Sequence, residues 1–252
     1  MLAAWLAACG GSSTPPHGSP VTLAADQALG WLGVAPRSSP APGDWLPAGP
    51  SSVVVAMPAS GLTAGTALSG VDTAGHVARL TAGAPSKLAY GCDQNRLDVV
   101  ALSGARLVPG PVWLLPANAP ATWRPAPVAI APLGTASQAH RRTAIGPLAL
   151  DLRRIDATHG TLAITRPGHT MFTQPFERAA IDGAPGDPLD LRGDGVAIPV
   201  PIAAWSLGAD GPILIVLRVA SYEGTHLTPI LVEAERAREV TAMASYLYSC
   251  AF

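Results

Sequence analysis

A tyrosine, a glutamate and a histidine stand close together after a predicted strand, at Tyr222, Glu223 and His226. Loops at strand ends often carry functional residues, and an acid, a phenol and an imidazole could transfer protons in a secreted hydrolase. A solvated turn in which Glu223 and His226 face water accounts for the same residues. The chain has no G-x-S-x-G or H-E-x-x-H motif, so we assign no catalytic residue and keep this loop as a candidate.

The first thirteen residues contain the most specific motif. A short apolar run ends in Leu6-Ala7-Ala8-Cys9 and changes at once to Gly10-Gly11-Ser12-Ser13. Leu6-Ala7-Ala8-Cys9 resembles the lipobox of bacterial lipoproteins. The resemblance implies cleavage after Ala8, a thioether-linked diacylglycerol on Cys9 and attachment to a membrane of the cell envelope. An aspartate after the cysteine favours inner-membrane retention in that family, so Gly10 indicates the outer membrane, facing the periplasm or the surface, in a Gram-negative cell.

Residues 1–8 are interpreted as a lipoprotein signal segment that looks truncated. They include no lysine or arginine, whereas an export signal ordinarily begins with a cationic region. We therefore expect a start codon upstream of Met1. The alternative is an ordinary apolar amino terminus with a free cysteine at position 9.

Two further cysteines, Cys92 and Cys250, remain once Cys9 carries lipid. An exported chain folds where thiols oxidise, so we expect these two to form a disulfide. Two buried free thiols or a metal pair are the alternatives, and no Cys-x-x-Cys or Cys/His cluster supports a metal pair.

The segment from Asp190 to Gly195 matches the D-x-D-x-D-G register of calcium loops. Calcium requires several oxygen ligands around one point, whereas the third position is Arg192 and the twelfth is Pro201. The segment therefore predicts a plain Asp/Gly turn, and we expect neither a metal nor a cofactor.

Two basic pairs, Arg141-Arg142 and Arg153-Arg154, could meet anionic headgroups or a glycan carboxylate, and a solvated face accounts for them equally. Asp151 and Asp156 are close enough in sequence to neutralise the second pair. Aromatic faces could line a carbohydrate groove, but a buried core explains the tryptophans in apolar runs better. The tryptophans considered are Trp45, Trp113, Trp123 and Trp205.

Composition limits the partners. Hydrophobic residues make up 48% of the 252 residues and charged ones 13%, with a formal net charge of −1. This balance gives no basic field for nucleic acid, and no run of 18 apolar residues could span a bilayer. An envelope protein or glycan remains a possible partner.

The spacing of apolar runs predicts the fold. Short strands separated by Gly and Pro roughly every 8 to 12 residues indicate a mainly β chain, an antiparallel sandwich or barrel, with at most one or two short helices. Residues 9–50 are interpreted as a flexible Pro/Gly/Ser linker in which the apolar stretch 21–34 can dock on the domain. Residues 51–252 form the β-rich domain, with a possible subdomain boundary near 116–137.

Two segments give sharper expectations. Ile213 to Leu217 is continuously apolar, which predicts a strand covered on both faces. Glu233 to Ala244 favours a helix by propensity, or equally a hairpin that turns at Glu235-Arg236. Together these patterns favour a lipid-anchored binding or structural module over a hydrolase acting through Glu223 and His226.

Overall fold

The computed structural model describes residues 29–39, 45–57, 61–89, 96–120, 122–178, 187–208, 210–221 and 224–248. Antiparallel strands account for most of them, and helical structure within them is limited to 3₁₀ turns such as Thr241–Met243. The prediction of a mainly β, antiparallel barrel or sandwich is confirmed.

The first six strands form a closed barrel. They are β1 (Trp31–Ala35), β2 (Val53–Ala56), β3 (Ala67–Asp72), β4 (Val77–Ala89), β5 (Arg96–Gly104) and β6 (Gly110–Pro116). Their order around the barrel is β1-β2-β5-β4-β3-β6, and β6 pairs with β1 to close it. Every pairing in the barrel is antiparallel.

Aliphatic side chains fill the barrel interior, as expected for a barrel of few strands. Two glycines allow neighbouring strands to pack closely. A Cβ at Gly33 would lie 2.5 Å from Val53 Cγ1, and one at Gly70 would lie 2.8 Å from Leu80 Cδ1. The interior is therefore a packed core with no room for an added methyl group at these positions.

The remaining strands form two stacked sheets. They are β7 (Pro125–Pro127), β8 (Ile130–Pro132), β9 (His140–Ile145), β10 (Leu148–Arg154), β11 (His159–Arg166), β12 (His169–Glu177), β13 (Pro199–Leu207), β14 (Ile213–Ala220), β15 (Gly224–Val232), β16 (Ala237–Glu239) and β17 (Ser245–Tyr248). The central sheet has the order β16-β15-β14-β13-β7, with β17 also paired to β15, and the outer sheet has the order β12-β11-β10-β9-β8.

The central sheet is buried on both faces. One face packs on the outer sheet through residues such as Ile215 and Leu150, and the other packs on the outside of the barrel through Leu214 and Trp113. All residues from Ile213 to Leu217 are buried. The continuous apolar run therefore forms the doubly covered strand that the sequence predicts.

Two tryptophans and one aspartate join the barrel to the central sheet. Trp113 and Trp205 are fully buried with ring centroids 6.2 Å apart. Trp113 Nε1 donates to the Leu29 carbonyl at 2.7 Å, and Trp205 Nε1 donates to the Asp72 carbonyl at 2.9 Å. The predicted core role of these two tryptophans agrees with their burial, and Trp45 and Trp123 pack at the edge of the same core.

The Asp72 side chain binds two loops at the end of β3. It accepts hydrogen bonds from the backbone N–H groups of Ala74 and His76 at 2.9 Å each and of Val108 at 2.9 Å, and His76 Nδ1 lies 3.0 Å from Oδ2. Burial raises the pKa of Asp72, but the hydrogen bonds from Val108 and His76 together outweigh burial and lower it. Asp72 is thus a buried structural carboxylate.

Folded structure begins earlier than the expected boundary at residue 51. Strand β1 pairs with β6 at all five of its residues, from Trp31 opposite Leu114 to Ala35 opposite Gly110. The surrounding Gly and Pro residues make this stretch resemble a linker in the sequence. Its stability comes from pairing within the closed barrel, which local composition does not show. The chain leaves the barrel at Pro116 and enters the sandwich at Pro125.

The segment after β15 adopts the hairpin and not the helix. Glu233 N donates to the Arg236 carbonyl at 2.8 Å across the turn, and β16 then pairs with β15. A 3₁₀ turn follows and places Met243 in the core. Sheet pairing and burial override the helical propensity of this segment.

Candidate functional site

Five residues that the sequence singles out lie outside the described residues. They are Cys9, Cys92, Tyr222, Glu223 and Cys250. Lipidation of Cys9, pairing of Cys92 with Cys250 and the convergence of Tyr222 and Glu223 with His226 therefore stay predictions.

His226 packs against another strand of the central sheet. It lies on β15 directly opposite Tyr246 of β17, and their ring centroids are 4.4 Å apart. Partial burial lowers the pKa of His226, which favours the neutral imidazole near pH 7. The contact is a cross-strand aromatic pair of the kind that stabilises sheets.

The Asp/Gly turn directs its carboxylates to arginines. Arg192 Nε contacts both oxygens of Asp190 at 2.9 and 3.0 Å, and this guanidinium lowers the pKa of Asp190 to about 2. Arg141 Nη1 donates to Asp194 at 2.7 Å, and Arg218 Nη2 lies 3.6 Å from the same carboxylate. In the described ranges, no three His, Cys, Asp or Glu side chains are grouped to hold a metal ion.

A second carboxylate, that of Asp151, contacts three basic side chains on the outer sheet. Asp151, 13% exposed, lies 3.0 Å from Arg153 Nε, 3.1 Å from His140 Nε2 and 3.3 Å from Arg142 Nε. Burial raises the pKa of Asp151, but the hydrogen bonds from Arg153 and His140 outweigh it and lower the pKa. Asp151 thus pairs with Arg153 as the sequence suggests, whereas Asp156 contacts His159.

A cleft opens at the β8 edge of the sandwich, and we call it the edge cleft. It has a volume of about 260 Å³ and is lined by residues of both sheets and of the loop that follows the short strand β8 along β9. Its polar lining consists of Arg141, Arg142, Thr143 and Arg192, and its apolar lining includes Pro132 and Pro201.

The fold explains how adjacent residues share this cleft. Successive residues of a strand point to opposite faces, so Arg141 and Thr143 lie on the inner face of β9 and Arg142 on its outer face. Strand β8 pairs only with residues 143–145 of β9, and the loop after it continues along β9 through Leu133 N to the Arg142 carbonyl, so both arginines lie where the strand gives way to this loop. Arg192 comes from the turn that precedes β13.

Comparison with known proteins adds no relative: no family model matches the chain, and neither the curated proteins nor the solved structures give a match. Within the part of the chain that the structure describes, no helix has the length and apolar character to cross a bilayer.

The sequence singled out part of the edge cleft. It marked Arg141 and Arg142 as a basic pair, and it considered Arg192 only as a residue that disfavours calcium. It gave no reason to select Thr143, because the value of this hydroxyl depends on its place in the cleft lining, beside the point where β8 ends. The shortness of β8, with Pro132 at its end, is the one local signal of that point.

Proposed function

We propose that this protein is a lipid-anchored component of the bacterial cell envelope that acts as a binding or structural module. The observation that carries the proposal is the sequence Leu6-Ala7-Ala8-Cys9, followed at once by Gly10-Gly11. Small residues before the cysteine suit a signal-peptidase cleft, and flexible residues after it suit a tether. Two or more acyl chains at Cys9 would give stable anchoring.

The architecture supports a binding or structural role for the anchored domain. A barrel and two sheets share buried cores, which gives a rigid frame, and the edge cleft presents cationic and apolar groups on that frame. Rigid frames with polar groups at sheet edges and loops are common in binding proteins. A glycan or another envelope protein is the proposed partner.

Metabolic labelling with a clickable fatty acid tests the anchor. The gene is expressed with its native upstream sequence, and the wild-type protein is compared with Cys9→Ala and with Cys92→Ala as a matched cysteine control. We expect labelling and membrane fractionation of the wild type and Cys92→Ala, and loss of both in Cys9→Ala. Equal labelling of Cys9→Ala and the wild type would overturn the proposal.

Export also underlies the proposed disulfide between Cys92 and Cys250. The chain-entropy model gives roughly 5 kcal/mol for a loop of this length. Alkylation of the unfolded, unreduced protein followed by mass spectrometry is expected to modify neither cysteine, and modification of both would exclude the bond.

A further inference from the structure

We propose that the edge cleft binds a small organic anion through a carboxylate or phosphate group. The inference deepens the binding role proposed above and rests on it, but it does not depend on the lipid at Cys9. Four observations at the cleft support it: an excess of positive charge, unused guanidinium N–H groups, an accessible hydroxyl in the lining, and an apolar wall.

The positive charge around the cleft exceeds the negative charge. Arg141 and Arg218 share the single carboxylate of Asp194. Arg142 and Arg153 share that of Asp151 even when His140 is neutral. Arg192 and Asp190 balance each other. Two guanidinium charges thus remain without a matching carboxylate, which favours an anionic ligand at this edge of the sandwich.

The lining arginines retain N–H groups that a ligand could use. Arg142 contacts Asp151 through Nε, and none of its Nη groups hydrogen-bonds a described residue. Arg192 uses Nε and Nη2 on Asp190, which leaves Nη1 without a partner among the described residues. A planar guanidinium with adjacent free N–H groups suits carboxylate and phosphate oxygens.

Thr143 adds a hydroxyl inside the cleft. Thr143 is only 6% exposed as a residue, and its Oγ1, which makes no hydrogen bond to a described residue, is open to solvent at the cleft and is not one of the buried polar atoms that lack a partner. An accessible hydroxyl in the lining can donate a hydrogen bond to a ligand oxygen that the adjacent arginines contact.

The volume and the apolar lining restrict the ligand. Ligand pockets for larger molecules start at about 300 Å³, so the edge cleft suits a compact molecule of about the size of one sugar ring. Pro132 and Pro201 give an apolar wall for its uncharged body. A larger cleft lined by Arg154 and Arg178 also contains Asp187 and Asp190, and these carboxylates make it less suited to an anion.

Isothermal titration of the purified full chain in a non-ionic detergent tests the proposal. The probes are glucuronate, glucose 6-phosphate and neutral glucose at constant ionic strength. We expect heat from one or both anions and none from glucose. A response to glucuronate alone assigns a carboxylate ligand, and a response to glucose 6-phosphate alone assigns a phosphate. Absence of binding by both anions, or equal binding of glucose, would overturn the proposal.

Matched variants separate a specific site from general attraction. Arg142→Gln and Arg153→Gln each remove one arginine from Asp151, but only Arg142 lines the cleft. We expect Arg142→Gln to weaken binding roughly tenfold or more and Arg153→Gln by about twofold or less. Equal weakening by both variants would contradict the proposal.

Thr143→Val tests the hydroxyl, with thermal melting to verify folding. A folded Thr143→Val variant is expected to bind the anion more weakly, and unchanged affinity would remove Thr143 from the site. Because these titrations do not involve Cys9, the anion site and the lipid anchor can fail independently.

Discussion

Asp72 shows how one side chain connects distant parts of the molecule. Its carboxylate binds the backbone of the turn at Ala74 and His76 and of the loop at Val108, while its carbonyl accepts the Trp205 indole. The residue is fully buried, so loss of the carboxylate would leave several N–H groups without acceptors.

Replacement of Asp72 is therefore expected to destabilise the protein strongly. Asp72→Ala should lower the free energy of unfolding by about 2 to 5 kcal/mol, measured by urea denaturation near neutral pH. Asp98→Ala is the control, because Asp98 forms an exposed pair with Lys87 and its loss should cost about 1 kcal/mol or less. Similar losses for the two variants would contradict the structural role of Asp72.

The effect of Asp72 also depends on pH. Because folding lowers the pKa of this carboxyl, its contribution to stability is complete above the ordinary value of 3.8 and is lost as the pH falls through the folded value. The stability difference between the wild type and Asp72→Asn should therefore shrink on acidification below about pH 4. A difference that stays constant with pH would argue against the lowered pKa.

The strands differ in how far the sequence revealed them. Strand β14 was evident because Ile213 to Leu217 is apolar without interruption, and burial on two faces requires that composition. Strand β1 lies within the predicted linker, whose apolar stretch 21–34 is expected to dock on the domain. The sequence does not show β1 as a strand because its flanks are rich in Gly and Pro and its pairing partners, β2 and β6, are distant in sequence. Local propensity could not choose between helix and hairpin after Glu233, because the pairing of β16 with β15 decides it.

The edge cleft likewise combines a feature that is visible in the local sequence with features that depend on distant parts of the chain. Adjacent arginines at 141 and 142 are visible in the sequence as a charge pair. Their approach to Arg192 and Thr143 depends on the stacking of two sheets and on the length of β8, which no short sequence window contains.

The substitution Gly33→Ala tests how closely β1 packs within the barrel. Gly33→Ala would bring a Cβ within 2.5 Å of Val53 Cγ1, so we expect a loss of about 1 to 3 kcal/mol from overpacking. Gly49→Ala is the matched control, because no atom lies within 4 Å of the added Cβ. Chemical denaturation compares the two, and an unchanged stability for Gly33→Ala would contradict the close packing of β1 against Val53.

At the scale of the whole molecule, barrel and sandwich each have their own core and also share an apolar cluster where they meet. Trp113 of the barrel and Trp205 of the central sheet lie in the same cluster, which joins the core inside the barrel to the core between the two sheets. This continuity implies that the two halves unfold together.

Calorimetry tests this cooperativity. The wild type should show one transition, and Trp205→Ala should shift that transition as a whole with a loss of about 3 to 5 kcal/mol. Ile155→Ala should leave it nearly unchanged, because the Ile155 side chain is exposed. Two separate transitions, or a barrel whose amide protection is unaffected by Trp205→Ala, would contradict unfolding of the two halves together.

The central sheet is covered by the outer sheet on one face and by the barrel on the other, which limits where the chain can be divided into soluble fragments. A cut in the connection between Pro116 and Pro125 looks attractive because it is rich in proline and passes between the barrel and the sandwich. Such a cut would uncover an apolar face that includes Trp205, Leu214 and Leu231 on one fragment and Trp113 on the other. The fragments should self-associate or precipitate when expressed separately and regain solubility when co-expressed, which would make this protein suitable for split-protein complementation.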